Sequence, residues 1–142
     1  MDRVFIDTNV LVDWLTQRPP FAEHSTKIVE LIERRLISGV VNPLVFTNTY
    51  YVTATYLDKR TTHRLLSDLT SLFEIIDVCE EHVLKAVKED AGDFEDEIHI
   101  QTMAANDIQI VITRNKKDFT HKSISPFTPV EYLESLRRAG AL

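Results

Sequence analysis

Carboxylates crowd one short stretch of this chain: Asp93-Phe94-Glu95-Asp96-Glu97 holds four acids in five positions. Acids in the first turn of a helix favour its dipole and cap its free N–H groups, which accounts for one or two of them. Four together repel one another, and a hard divalent cation among them offsets that repulsion. Mg2+ and Mn2+ select such oxygen ligands. Two other places invite the same chemistry. Phe5-Ile6-Asp7-Thr8-Asn9 sets Asp7 directly after an apolar run, as either a helix N-cap or a ligand. Thr113-Arg114-Asn115-Lys116-Lys117-Asp118-Phe119 follows another apolar run and taken alone is a solvated turn. Residues 113–122 carry four cations against one acid, either a basic surface loop or a patch for backbone phosphates.

Nothing in the chain suggests a protein nucleophile. Cys79 ends an apolar run and reads as an inert core residue. The histidines read as surface residues, with His99 a solvent-facing partner of Asp96 three positions earlier. Tyr50, Tyr51 and Tyr56 lie near helical spacing and read as core rather than as base-stacking platforms.

Short apolar runs alternate with segments of helical period, the signature of a parallel sheet flanked by helices. Val4-Phe5-Ile6 is the first strand, followed by a short helix with Val10, Leu11 and Trp14 that Arg18-Pro19-Pro20 stops. A second helix from about Ala22 lines up Ile28, Leu31, Ile32 and Leu36, and Gly39 ends it before a strand at Val40-Val41. Asn42-Pro43 turns the chain into a third helix, about 44–57, spaced on Val45, Thr49, Val52 and Tyr56. Thr61 caps a helix holding Leu65, Leu66, Leu69 and Leu72, and Ile75-Ile76 is a third strand. Helices at about 80–91 and 94–106 follow, the latter facing the sheet through Phe94, Ile98 and Ala105. Gln109-Ile110-Val111-Ile112 is a fourth strand, with Ile124 in a short edge strand. Thr128, Pro129 and Glu131 open the last helix as a capping box. The order predicts a single α/β domain over 1–142, a three-layer α/β/α sandwich on a mostly parallel sheet of four or five strands. In such sheets ligands bind beyond the carboxyl ends of the strands, where Asp7 and the 113–119 turn fall.

Composition narrows the classes. The chain has 142 residues, 44% hydrophobic and 27% charged, which excludes disordered, collagen-like and disulfide-scaffold proteins. One cysteine allows no internal disulfide, and a reducing, cytoplasmic setting is expected. Residues 36–57 carry no charge over a length that spans a bilayer, but Gly39, Asn42, Pro43 and Asn48 mark them as buried soluble structure. No membrane partner is expected. The net charge of -6 equals the acidic surplus of residues 89–97 alone, so it is no objection to a nucleic-acid substrate elsewhere on the surface.

Three motifs together carry a resemblance: Phe-Ile-Asp-Thr-Asn at 5–9, Asp-Phe-Glu-Asp-Glu-Ile-His at 93–99 and Ile-Thr-Arg-Asn-Lys-Lys-Asp-Phe at 112–119. From Val4 to about Tyr132 the chain resembles PIN-domain nucleases, the group that includes the VapC-type toxin ribonucleases of bacterial toxin–antitoxin systems. The resemblance implies four acidic positions around one or two divalent ions. Two map to Asp7 and Asp96. The other two fall on Asn48 and Asn115, which ligate through neutral amide oxygens, as in a PIN subgroup with this Asn pattern. Asp93, Glu95 and Asp118 lie close enough in sequence to restore part of the missing charge.

The resemblance thus implies a metal-dependent endoribonuclease using Mg2+ or Mn2+, with Asp7, Asp96, Asn48 and Asn115 as its catalytic set. Asp7, Asp96, Glu95 and Asp93 are the metal ligands it suggests. Thr113, Arg114, Lys116 and Lys117 are the candidates for contacting RNA. An antitoxin partner and a homodimer follow from the same resemblance. The alternative is a PIN-fold module that binds nucleic acid or protein and cleaves poorly, because its acid set is incomplete.

Overall fold

The computed structural model describes residues 1–89 and 92–142. Among these residues five strands form one fully parallel sheet in the order β3-β2-β1-β4-β5. They are β1 (Arg3–Ile6), β2 (Ser38–Val41), β3 (Glu74–Ile75), β4 (Ile110–Ile112) and β5 (Ser125–Phe127). Val4, Phe5 and Ile6 of the central strand are fully buried, as expected of a strand covered on both faces. The chain builds β1, β2 and β3 outward on one side, then returns to lay β4 and β5 on the other. The carboxyl ends of β1 and β4 therefore meet where the order reverses, the position that forms a crevice in open parallel sheets.

Among the described residues seven α-helices cover the sheet: α1 (Thr8–Thr16), α2 (Ala22–Glu33), α3 (Pro43–Thr53), α4 (Lys59–Leu69), α5 (Glu80–Glu89), α6 (Phe94–Ala105) and α7 (Pro129–Arg138). α1 packs on α2 and α3, α3 on α4, and α2 on α7, whereas α5 packs chiefly on α6. Right-handed crossovers running in opposite directions put these two groups on opposite faces, giving the expected three layers.

Several element boundaries differ from the sequence reading, each for a local reason. α2 stops at Glu33, because Arg35 turns to a left-handed φ of 58°, so Leu36 lies beyond it and is exposed. Gly39 is not a helix stop but part of β2. A Cβ there would come within 2.6 Å of Ile32 Cδ1 and 2.8 Å of Phe73 Cε1, so hydrogen is what lets α2 and the segment before β3 close on the strand. α3 starts at Pro43, capped by Asn42, and ends at Thr53; Tyr56 falls past its end, and Tyr51, Val52 and Tyr56 are exposed rather than core. α4 is capped by Asp58 instead of Thr61, whose N–H and hydroxyl both donate to the Asp58 carboxylate at 2.8 and 2.7 Å. β3 is shifted one residue toward Glu74, although the Ile76 N–H still reaches the Val41 carbonyl.

Cys79 is exposed, not buried. α6 buries Ile98, Ile100 and Met103, while Phe94 and Ala105 face outward, because its apolar stripe starts one turn later than the sequence spacing suggested. Ile124 is buried just before β5 rather than inside it. The last two positions of the expected helix over 80–91, with Asp90, lie outside the described residues. The capping box of α7 forms as expected, the Glu131 N–H donating to Thr128 Oγ1 at 3.2 Å and the Thr128 N–H to Glu131 Oε1 at 2.9 Å.

Candidate active site

The crevice beyond β1 and β4 is a cleft of about 330 Å³ whose walls include Asp7, Asp93, Glu95, Asp96, Asn115 and Asp118. Its floor is fixed by a hydrogen-bonded joint between the two strand ends. The Asp7 N–H donates to the Ile112 carbonyl at 3.0 Å, extending the ladder by one rung. The Asp7 side chain caps α1, accepting the Thr8 N–H at 2.8 Å, so the capping role and a site role coincide. Thr113, fully buried after β4, donates its hydroxyl to Asp7 Oδ2 at 2.7 Å. Asn9 adds a longer bond to the same oxygen at 3.3 Å and accepts the Arg114 N–H at 3.1 Å.

Opposite Asp7 stands the start of α6. Asp93 is its N-cap, accepting the Asp96 N–H at 3.0 Å, so one of the four clustered acids is held by the helix itself. Asp96, one turn in, is buried and turned to the cleft; among the described residues no donor reaches its carboxylate. Glu97 points elsewhere: it accepts from Gln101 at 3.1 Å and borders a separate cavity with Lys117 and Lys122. The helix thus deals its acids out by angle, Glu95 and Asp96 to the cleft and Glu97 away from it.

The electrostatics follow from this crowding. The Asp96 carboxyl is pushed up to about 8, first by burial and then by the charges of Asp7, Asp93, Asp118 and Glu95. Burial also raises Asp7, countered in part by the nearby His99 imidazole and by the Thr113 and Thr8 hydrogen bonds. Glu95 at the cleft rim is held low, mainly by a hydrogen bond from His99, with a further contribution from Asn48. Two buried carboxylates surrounded by further carboxylates need a counter-charge, either a proton or a cation. Their oxygens are the hard donors that Mg2+ and Mn2+ take, so the donor set fits such an ion. Ligand atoms of Asp7, Asp96 and His99 all lie within 4.8 Å of one another.

The two amides mapped onto acidic positions each have a carboxylate beside them. Asn115 lines the cleft and donates its side-chain N–H to Asp118, while its backbone N–H donates to Thr113 Oγ1 at 3.0 Å. Asn48, on α3, neighbours Glu95. The charge missing at 48 and 115 is therefore present one side chain away.

The cations expected to meet RNA are placed differently from one another. Thr113 is fully buried and serves Asp7, which corrects its assignment to a nucleic-acid surface. Arg114 forms a two-point ion pair with buried Asp13, Nε to Oδ2 at 2.6 Å and Nη2 to Oδ1 at 3.3 Å, and its guanidinium lies 4.0 Å from the centre of the Phe21 ring. It is anchored inside the cleft wall. Lys116 pairs with Glu131 at 3.0 Å on the surface. Lys117 is exposed and has no ion pair among the described residues.

Four residues were not foreseen. Asp13 and Arg18 line the cleft, and Arg18 lies 5.7 Å from the centre of the same Phe21 ring. His99 is fully buried rather than on the surface, tilted against Phe5 at 5.2 Å, and hydrogen-bonded to Asn42. The spacing of four from Glu95 was the available signal for His99, and the Asn-Pro after an apolar run was the signal for Asn42 as a cap at a strand's carboxyl end.

Comparison with curated proteins gives no match. Among solved structures, the chain is similar to the DNA-bound VapBC of Salmonella typhimurium, with a TM-score of 0.68 at 16% identity over 91% of this chain and 99% of that one. It is similar to VapC20 of Mycobacterium tuberculosis, described as a sarcin-ricin loop cleaving toxin, with a TM-score of 0.67 at 12% identity over 82% and 92%. A toxin–antitoxin complex from Klebsiella pneumoniae gives 0.64 at 21% over 89% and 97%. At these identities the likeness is one of fold. The sequence itself matches the PIN domain family over residues 3–117, and with most of its length so matched, the chain belongs to the PIN domain family.

Proposed function

We propose that this protein is a divalent-cation-dependent endoribonuclease acting as the toxin of a toxin–antitoxin pair. The observation that carries the reading is the buried Asp7–Asp96 pair at the crossover crevice, with Glu95 and Asp118 beside it and no protein donor on Asp96 among the described residues. Asp7 and Asp96 would hold Mg2+ or Mn2+, with Glu95, Asp93, Asn48 and Asn115 around it directly or through water. Such an ion supplies charge neutralisation at an attacked phosphodiester and activation of water.

The chain's own residues do the rest. Thr113 and the Thr8 N–H oppose the upward push of burial on the Asp7 carboxyl. Arg114, locked on Asp13, fixes the cleft wall beside the carboxylates, and Lys117, with no ion pair among the described residues, offers a cation to backbone phosphates on the approach. The carboxylates beside Asn48 and Asn115 favour cleavage over the binding-only alternative, because they restore the charge those amides lack.

Similarity in fold to VapBC complexes supports an antitoxin partner. Val83, Leu84 and Val87 expose an apolar strip along α5, which supports a homodimer. No helix among the described residues is long and apolar enough to cross a membrane. The test is incubation of the purified protein with a mixed RNA pool and Mn2+. Cleavage that EDTA and Asp96→Ala both abolish is expected; no cleavage above the Asp96→Ala control would sink the enzymatic reading.

A further inference from the structure

His99 looks like a third ligand, since its ring reaches the same space as Asp7 and Asp96. Its hydrogen bonds give it another role. Asn42 Oδ1 accepts the Val45 N–H at 3.0 Å, as the cap of α3, which fixes the orientation of the amide. Turning that amide over would aim its NH2 group at a backbone N–H. The Asn42 NH2 group therefore faces His99 Nδ1, at 2.9 Å, and Thr102 Oγ1, at 3.3 Å. Thr102 reinforces the arrangement, because its own hydroxyl proton is committed to the His99 carbonyl at 2.8 Å. With a donor aimed at Nδ1, that nitrogen must present its lone pair, and a neutral imidazole has only one. The proton then lies on Nε2, which faces Glu95 Oε1 at 3.4 Å. Asn42, His99 and Thr102 are all fully buried, so water does not compete for these bonds.

We infer that His99 is a positioning residue and not a metal ligand: Asn42 locks it in the Nε2–H tautomer, and it holds the Glu95 carboxylate at the cleft. The inference rests on the proposed cation site and deepens it. A ring nitrogen in the first shell would admit the metals that imidazole suits, such as zinc, whereas a shell of carboxylate and amide oxygens suits Mg2+ and Mn2+. Asn42 sets this choice from behind the site, as outer-shell partners of metal-site histidines do.

The test uses the full chain labelled with 15N-histidine and freed of metal, with His99 resonances identified by their loss in His99→Gln. Long-range 1H–15N correlation is expected to show Nε2–H in the wild type; an Nδ1–H or doubly protonated ring overturns the inference. Asn42→Asp keeps a capping oxygen for Val45 and turns an acceptor toward Nδ1, so it is expected to switch His99 to Nδ1–H and free Nε2. Calorimetric titration should then show the ratio of Zn2+ to Mn2+ affinity rising about tenfold or more over wild type, and an unchanged ratio overturns the inference. His99→Gln, whose amide can still donate to Glu95, should keep Mn2+ affinity within about threefold; a tenfold loss would mark His99 as a ligand after all. A wild type that binds no Mn2+ refutes the proposed cation site, while the tautomer readout judges the Asn42–His99 lock separately.

Discussion

Replacing Asp96 with asparagine should make the metal-free protein more stable at neutral pH, and the gain should grow with pH. The Asp96 carboxyl has an ordinary value of 3.8 and is pushed up to about 8 in the folded chain, chiefly by burial. The folded state therefore binds its proton more tightly than the unfolded state does. Stability from this group is present at low pH and is lost as pH rises from about 4 toward 8. The limiting slope for one such group is about 1.4 kcal/mol per pH unit. Because the carboxyl opens onto a solvated cleft, screening warrants about half of that, or about 1.4 kcal/mol between pH 5 and pH 7. For a chain of this length that corresponds to a fall in Tm of about 3–6 °C.

The assay is thermal unfolding of wild type and Asp96→Asn in EDTA at several pH values in that range. Taking the difference between the two proteins cancels most other titrating groups. The variant should gain on the wild type by the stated amount, and Mn2+ at pH 7 should stabilise the wild type more than the variant. A difference that is flat with pH, or that moves toward the wild type as pH rises, would refute the raising of the Asp96 carboxyl by burial and the neighbouring carboxylates.

Arg114→Ala would strand buried Asp13 without its partner and should cost about 3 kcal/mol, read as a lowered urea midpoint; a loss under about 1 kcal/mol contradicts the anchoring role. Thr113→Val removes the hydroxyl that donates to Asp7 and should cost about 1–3 kcal/mol, with a parallel loss of Mn2+ affinity in calorimetry. Gly39→Ala forces a methyl against Ile32 and Phe73 and should cost about 1–3 kcal/mol by chemical denaturation, with Phe73→Leu recovering part of it.

Local signals in the sequence suffice where local energies decide. The buried run at 4–6, the proline-led capping box at 128–131 and the Asp at the end of the first strand all depend on residues within one turn or one strand of each other. The expectations that fail are those whose outcome the apolar pattern does not set. Leu36 fits the helical stripe of α2, yet a left-handed Arg35 ends the helix first. Phe94 fits the stripe of α6, yet the rotation of that helix is set by burying Ile98, Ile100 and Met103 against the rest of the fold. Gly39 looked like a stop signal because its real constraint, the approach of Phe73 from 34 residues away, leaves no local trace.

The candidate site divides in the same way. Position marked Asp7 and the acid cluster at 93–97, each where a helix begins and an acid already has a local purpose, and the resemblance to PIN domains singled out Asp96 within that cluster. Neither could mark the partners that determine what those acids can do. Thr113 meets Asp7, Arg114 meets Asp13 and Asn42 meets His99 only because β1 lies between β2 and β4 in the sheet, which brings three distant strand ends to one crevice. The sequence by itself determined that a carboxylate-rich site exists at the ends of parallel strands. The tertiary structure decided which cations are already neutralised, which nitrogen of His99 keeps its proton, and which acids share the cleft, because each of those outcomes is set by distances between groups that the chain order keeps far apart.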